Sequence, residues 1–136
     1  MGRMKFLAAV TLVAIAPAAA SGATFRTLAP IPGTNDGQST YNPLTKVGQH
    51  LYGTTNSGGA NFFGTIFDVD IKTGKTSTVY SFPAYSGSAG ALLNVDGTLY
   101  GITGGNTVLA ASIFSFTPAT GQITQIYSFA RPCGRT

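Results

Sequence analysis

Few side chains in this 136-residue chain have the chemistry that catalysis or metal binding requires. His50 is the single histidine, and a histidine acts as a general base when a partner and a substrate pocket adjoin it. Asp68 and Asp70 are two residues apart, so on a β-strand they would share one face and offer oxygen ligands to calcium. These three residues are therefore the first candidates for a site.

Other motifs that carry chemistry are absent or incomplete. Gly58-Gly59 and Gly64 look like part of a phosphate cradle, but such a cradle leads into a helix and uses a lysine, whereas this loop leads into a predicted strand. The sequence has no G-x-S-x-G motif, and a Ser-His-Asp triad would have to use His50. Three aromatic side chains are candidates for stacking on a sugar or a peptide: Phe62, Phe63 and Tyr85.

The composition favours a small β protein. Only 9% of the residues are charged, 43% are hydrophobic and 18 are glycine, which argues against a helix bundle, a coiled coil or a charge-rich disordered chain. The basic residues beyond residue 23 are scattered along the chain, so no cluster is available to neutralise a phosphate backbone. We therefore exclude nucleic acid as a partner.

The first 23 residues have the pattern of a secretory signal peptide. Arg3 and Lys5 precede an apolar run over residues 6–15, and small residues follow up to Ala23. We predict cleavage between Ala23 and Thr24. A retained membrane helix is the alternative, but the apolar stretch of residues 6–20 contains Pro17 and is shorter than the roughly 20 residues that span a bilayer. We expect an exported product that has no membrane association after cleavage.

The strongest pattern in the chain is an internal repeat. Leu51-Tyr52-Gly53 returns as Leu99-Tyr100-Gly101, and three further segments return in the same order at offsets of 47 residues. These segments are Thr65-Ile66-Phe67 with Ser112-Ile113-Phe114, Thr73-Gly74 with Thr120-Gly121, and Tyr80-Ser81-Phe82 with Tyr127-Ser128-Phe129. Four matched segments in one order indicate a duplicated structural unit.

Turn signals divide each unit into four short strands. Gly48-Gln49 predicts a type II′ hairpin turn and Asp96-Gly97 a type I′ turn, the two types whose twist matches a strand pair. A glycine-rich loop follows the second strand, and Lys72-Thr73-Gly74 closes the third strand onto the fourth. Four strands joined in sequence form a meander, which resembles one blade of a β-propeller.

The repeat also bears on the candidate site residues. His50 corresponds to Thr98 in the second copy, so we expect it to be a solvated turn residue rather than a base. On the third strand, Phe67 points to the face that we expect to form the core, and Ile66, Asp68 and Asp70 point to the other face. The two aspartates have merely polar counterparts, so we expect a solvent-facing strand and no metal, catalytic or cofactor site. Tyr52 and its counterpart are expected to pack between blades.

The predicted fold is all-β, with two four-stranded antiparallel blade-like repeats of an incomplete β-propeller. Two blades cannot close a ring, because such rings have about 4–8 blades. We expect either a truncated reading frame or association with other copies through open blade edges. The predicted segments are a signal peptide (1–23), a partial repeat or linker (24–43), unit 1 (44–82), a linker (83–90), a degenerate unit 2 (91–129) and a divergent tail (130–136).

The repeated segments Leu-Tyr-Gly-Thr-Thr, Gly-Thr-Ile-Phe, Thr-Gly and Tyr-Ser-Phe resemble the GloVer tandem repeat of bacterial "choice-of-anchor" surface and secreted proteins. The resemblance covers residues 35–129, and the chain looks like a truncated member. It implies a propeller-like array of repeats outside the cytoplasm, with no established catalytic residues. The expected location is therefore secreted, periplasmic or on the surface of a bacterium.

Two functions remain open at this point. The first is a non-enzymatic exported repeat protein that binds an extracellular glycan or protein, or serves as surface structure, as part of a longer array. The alternative is a fragment of a propeller hydrolase or lyase whose catalytic blades are missing.

Overall fold

The computed structural model describes residues 26–28, 42–83, 89–104 and 110–129, and these residues contain strands but no helix. The eight strands are β1 (Thr45–Val47), β2 (His50–Thr55), β3 (Thr65–Asp70), β4 (Thr76–Ser81), β5 (Leu93–Val95), β6 (Thr98–Thr103), β7 (Ser112–Thr117) and β8 (Gln122–Ser128). Among these residues, no helix has the length and apolar character that crossing a membrane requires. The predicted signal peptide, its cleavage position between Ala23 and Thr24, and Tyr85 lie outside the described residues.

The strands form two four-stranded antiparallel sheets, each with its strands in sequence order. Sheet 1 contains β1 to β4 and sheet 2 contains β5 to β8. Corresponding strands pair in corresponding registers, for example Gly53 opposite Phe67 in sheet 1 and Gly101 opposite Phe114 in sheet 2. A register shift falls between Ile66 and Phe67, and it recurs between the matching residues of sheet 2. The predicted pair of four-stranded antiparallel repeats is therefore confirmed.

The two hairpin turns have the backbone signs that the sequence predicts. Val47 pairs with His50 across Gly48-Gln49, and only the glycine has a positive φ, of 58°. At Asp96-Gly97 both residues have positive φ, 49° and 84°. A positive φ at the first central residue alone defines type II′, and at both residues type I′. Asparagine and aspartate tolerate this region better than other side chains, which explains Asp96.

The glycine of the Leu-Tyr-Gly segment is explained by packing in each sheet. A Cβ atom built on Gly101 would lie 2.5 Å from Cζ of Phe114 and 3.0 Å from Cδ2 of Leu92. At Gly53, the corresponding position in sheet 1, a Cβ would overlap the ring of Phe67 in the same way. The glycine is required because the aromatic ring of the next strand lies flat over it.

The two sheets pack face to face through unlike faces. We call the side that carries Leu99, Gly101, Phe114 and Phe116 the phenylalanine face of sheet 2, and the corresponding side of sheet 1 has the same name. We call the opposite side, which carries Tyr52, Thr54 and Ile66 in sheet 1, the tyrosine face. The hydrophobic core joins the tyrosine face of sheet 1 to the phenylalanine face of sheet 2, and its buried members are Tyr52, Ile66, Phe82, Ala89, Leu92, Leu99, Phe114 and Phe116. Tyr52 therefore packs between the two sheets as predicted, whereas its counterpart Tyr100 lies on the tyrosine face of sheet 2, outside this contact.

One prediction about the third strand is wrong. The face of β3 that carries Ile66 and Asp68 was expected to face solvent, but Ile66 is 0% exposed and Asp68 is 8% exposed. The reason is that sheet 2 covers the face that carries Ile66 and Asp68. Phe67, on the opposite face of β3, is buried as well. A strand between two covered faces shows no alternation of exposure, so polar alternation in its sequence is a poor guide.

Hydrogen bonds add to the apolar contact between the sheets. Thr45 Oγ1 donates to the carbonyl oxygen of Leu92 at 2.5 Å, and Thr54 Oγ1 lies 3.1 Å from the carbonyl oxygens of Ala89 and Gly90. Asn94 returns a hydrogen bond to the carbonyl oxygen of Lys46 at 2.8 Å. The threonines of sheet 1 thus bind the backbone that leads into sheet 2, which fixes the register of one unit on the other.

Candidate functional site

An open cleft of about 440 Å³ lies where the two sheets meet, at the end where β2 and β6 enter their loops. Its walls are formed by Asn42, Asn56, Ala89, Gly90, Ile102, Thr103, Gly104 and Ala111. The carbonyl oxygen of Ile102 accepts from Gly90 N at 2.8 Å, and the Ile102 side chain lies on the face of sheet 2 opposite the inter-sheet contact. The two asparagine amides give the cleft groups that donate and accept hydrogen bonds.

The polar wall of the cleft is held by hydrogen bonds. The Asn42 amide donates to Thr54 Oγ1 at 2.9 Å and to the carbonyl oxygen of Ala89 at 3.0 Å. Ala89 in turn bridges to Thr103 of β6. Because these bonds link the segment before β1 to both sheets, Asn42 is a positioning residue for the cleft, and Asn56 is an exposed amide on its wall.

The loop between β2 and β3 is compact. Gly64 N donates to the carbonyl oxygen of Gly58 at 3.0 Å, and Phe62 N donates to that of Gly59 at 3.2 Å. At the neck of the loop, the hydroxyl groups of Thr55 and Thr65 are 2.8 Å apart, and Thr103 and Ser112 form the same pair at 2.9 Å in sheet 2. These hydrogen bonds give the loop a defined path.

The loop places the two predicted stacking rings differently. Phe62 is 72% exposed and has a φ of 65°, a left-handed conformation that a bulky side chain rarely adopts. Phe63 is partly buried and packs against the hydrophobic core. Phe62 is therefore the more accessible of the two rings. Strain of this kind at an exposed ring is a pointer to binding.

His50 and Asp68 form an ion-pair geometry that the sequence analysis missed. His50 Nδ1 lies 2.7 Å from Asp68 Oδ2, and Ser77 Oγ donates to Asp68 Oδ1. His50 is the first residue of β2 rather than a solvated turn residue, and its side chain is 41% exposed. The expectation of a solvent-facing Asp68 was thus wrong, whereas His50 is partly exposed as expected but lies in the strand directly after the turn. The strand register explains the pair. Tyr52 lies opposite Asp68, so His50, two residues before Tyr52 on the same face, is a diagonal neighbour of Asp68.

This cluster does not have the order of a catalytic triad. In a triad the serine bonds to the histidine, whereas here Ser77 bonds to the carboxylate. Burial, and next the charge of Asp68, raise the pKa of Tyr52 above its ordinary value of 10.0, so this phenol stays protonated at neutral pH. In this cluster, His50 and Ser77 provide hydrogen-bond partners for both oxygens of the buried Asp68 carboxylate.

The two aspartates of β3, Asp68 and Asp70, have different hydrogen-bond partners. Asp70 Oδ1 accepts from the backbone amides of Lys72 and Thr73 at 2.8 and 3.0 Å, and these bonds hold the pKa of this carboxyl below its ordinary value of 3.8. Asp68 is occupied by His50 and Ser77. Among the described residues, no three His, Cys, Asp or Glu side chains converge as metal ligands would.

Comparison with known protein families gives a match over most of the chain. No curated protein matches the chain. The model of the Gloeobacter/Verrucomicrobia repeat family matches residues 11–136, which include both sheets and the cleft. The repeat family that the Leu-Tyr-Gly, Thr-Gly and Tyr-Ser-Phe segments resemble is thereby confirmed. The chain belongs to the Gloeobacter/Verrucomicrobia repeat family.

Proposed function

We propose that this chain is a non-enzymatic exported repeat protein of the β-propeller type, which binds an extracellular glycan or protein at the cleft between its units. One observation carries the proposal. The phenylalanine face of the second unit covers the tyrosine face of the first, so the two units stack head to tail. Repetition of one contact around an axis is how propeller blades are arranged.

The cleft supports binding rather than catalysis. Asn56 offers an amide donor and acceptor at the cleft, and Phe62 is an exposed ring on the loop that follows β2. Amide groups bind sugar hydroxyls and peptide groups, and an aromatic ring stacks on the apolar face of a sugar. Of the two ligand classes, this set favours a glycan.

A glycan and peptide array tests the proposed binding. We expect the wild-type chain to bind glycans and Asn56→Ala to lose at least tenfold in affinity for the same glycans. Lys72→Ala is the control, because Lys72 is exposed at the β3–β4 turn, and this variant should bind like the wild type. Silence on both arrays, or equal binding by Asn56→Ala, would contradict a ligand site in the cleft and leave a structural role.

The proposed export rests on the leader sequence and has its own test. We expect a protein secreted from a bacterial host to begin at Thr24, with residues 1–23 removed. The mass of the intact protein from the periplasm or the medium measures this. A product that keeps Arg3 and Lys5, or that stays in the cytoplasm, would contradict the signal peptide.

The hydrolase or lyase alternative has one observation in its favour, the pairing of His50 with Asp68. His50→Gln tests it, since glutamine keeps a hydrogen-bonding group but cannot act as a base. An activity of the wild-type chain on polysaccharide or peptide substrates that His50→Gln abolishes would establish an enzyme and overturn the proposal.

A further inference from the structure

The tyrosine face of sheet 2 is an exposed apolar surface. Leu93 is 64% exposed, Val95 46%, Ile102 52% and Tyr127 55%. Their register partners place them on one side of the sheet, since Leu93 opposes Tyr100, and Ile102 and Tyr127 both oppose Ile113. In sheet 1 the same side is covered by the next unit. Four large exposed side chains on one sheet face indicate an interaction surface.

This face is not a copy of the one that sheet 2 covers. Thr45 and Thr54 of sheet 1 hydrogen-bond to the backbone of the next unit, and their counterparts in sheet 2 are Leu93 and Ile102. An aliphatic side chain cannot form these bonds. A third unit seated here in the same way would therefore leave its carbonyl groups without the threonine donors, at a cost for each buried group.

The face has also lost the charges of its counterpart. The positions of His50, Asp68 and Asp70 in sheet 1 are occupied by Thr98, Ser115 and Thr117 in sheet 2. None of the Asp, Glu, Lys or Arg residues of the described chain lies on this face. Two identical charged faces would repel each other, whereas two identical uncharged apolar faces do not.

We infer that this face binds the same face of a second copy of the chain, about a twofold axis. A head-to-tail contact would need the phenylalanine face of sheet 1 as its partner, but Phe67 and Val69 on that face are only 2% and 7% exposed. The tyrosine face of sheet 2 is open in both copies, so the contact that uses it twice is the accessible one. It uses a sheet face and not the open edges that the repeat pattern suggested.

The size of the face sets the expected strength. Four strands about 4.8 Å apart and roughly 20 Å long give a face of roughly 300–400 Å² per copy. A standard interface buries about 800 Å² per partner, so this contact lies at the weak end. We expect a dimer that forms at micromolar concentrations and dissociates on dilution. Because the contact is apolar, added salt should not weaken it.

Sedimentation equilibrium of the purified chain over a wide concentration range tests the inference. We expect a monomer–dimer equilibrium that ends at the dimer. Ile102→Lys should raise the dimer dissociation constant at least tenfold, because it places a charge in each half of a twofold contact. Phe62→Lys is the control, since Phe62 is equally exposed but lies on the β2–β3 loop, and it should leave the equilibrium unchanged. Circular dichroism at low concentration verifies that both variants fold.

A second variant makes the test specific to the face. Ile102→Glu alone should also dissociate, and a mixture with Ile102→Lys should restore a dimer that contains one chain of each. A wild-type chain that stays monomeric at several hundred micromolar would overturn the inference, as would a dimer that Ile102→Lys does not weaken. Growth beyond the dimer would indicate head-to-tail stacking and contradict the twofold arrangement.

Discussion

At the residue scale, glycine explains the most regular motif in the chain. Gly53 and Gly101 do not need a left-handed backbone, since neither has a positive φ. They are glycine because the ring of Phe67 or Phe114 lies directly over the position. The motif is therefore a packing requirement, which pairs a missing side chain on one strand with an aromatic ring on the next.

This requirement gives a stability prediction. Gly101→Ala should reduce the free energy of unfolding by about 1–3 kcal/mol, because the new methyl group displaces the Phe114 ring in a packed core. Gly90→Ala is the matched control, since a Cβ there meets its nearest atom at 3.6 Å and the backbone does not have a positive φ. Urea unfolding followed by circular dichroism measures both variants. Equal losses in the two would contradict the packing explanation.

A second residue-scale prediction concerns the buried carboxylate. Asp68→Asn should destabilise the chain by about 1–3 kcal/mol, because an amide turns a donor toward His50 or Ser77, which already donate to it. Asp96→Asn should change stability little, since Asp96 is exposed and asparagine also tolerates its positive φ. Thermal unfolding at neutral pH compares the pair, and a smaller loss for Asp68→Asn than for Asp96→Asn would be inconsistent with a satisfied buried carboxylate.

At the element scale, the sequence predicts what depends on local chemistry. Turns such as Asp96-Gly97 are predictable because a positive φ selects few residue types. The burial of Asp68 and its pairing with His50 are not predictable in this way, because they depend on which face sheet 2 covers. The cleft is a further case, since Asn42 and Ile102 are 60 residues apart in sequence and meet only when the units stack. Local patterns therefore give the units, and long-range packing gives the candidate site.

The β3–β4 turn provides a prediction of pH dependence. Hydrogen bonds from Thr73 and Lys72 lower the pKa of Asp70 in the folded chain, so the folded state favours the carboxylate. Stability from this residue is complete above its ordinary pKa of 3.8 and is lost as the pH falls through the lower folded pKa. Asp70→Asn keeps an acceptor oxygen but does not titrate there. Melting temperatures from pH 5 to pH 2 should fall more steeply for the wild type, and parallel curves would contradict the assignment.

At the scale of the whole molecule, one aromatic arrangement appears twice with different surroundings. Tyr80 and Phe82 meet edge to face at 5.2 Å, and Tyr127 and Phe129 do so at 5.1 Å. Among the described residues, the first pair has a further ring against it, since Phe82 contacts Phe114 of sheet 2 at 5.6 Å, and the second pair has none. The second pair therefore serves as a control for how much stability the packing of one unit on the other contributes.

Comparison of Phe82→Ala with Phe129→Ala measures this contribution to the free energy of unfolding. Phe82 is 2% exposed and belongs to the core between the sheets, so its truncation should cost about 3–5 kcal/mol in the free energy of unfolding. Phe129 occupies the same position of unit 2 and is 41% exposed, so its truncation should cost less than about 1 kcal/mol when the chain is monomeric. Urea unfolding at low protein concentration gives both values. If the two variants lost equal stability, contact between the units would not be what stabilises this fold, because both phenylalanines end the same Tyr-Ser-Phe segment and one of them is covered by the other unit.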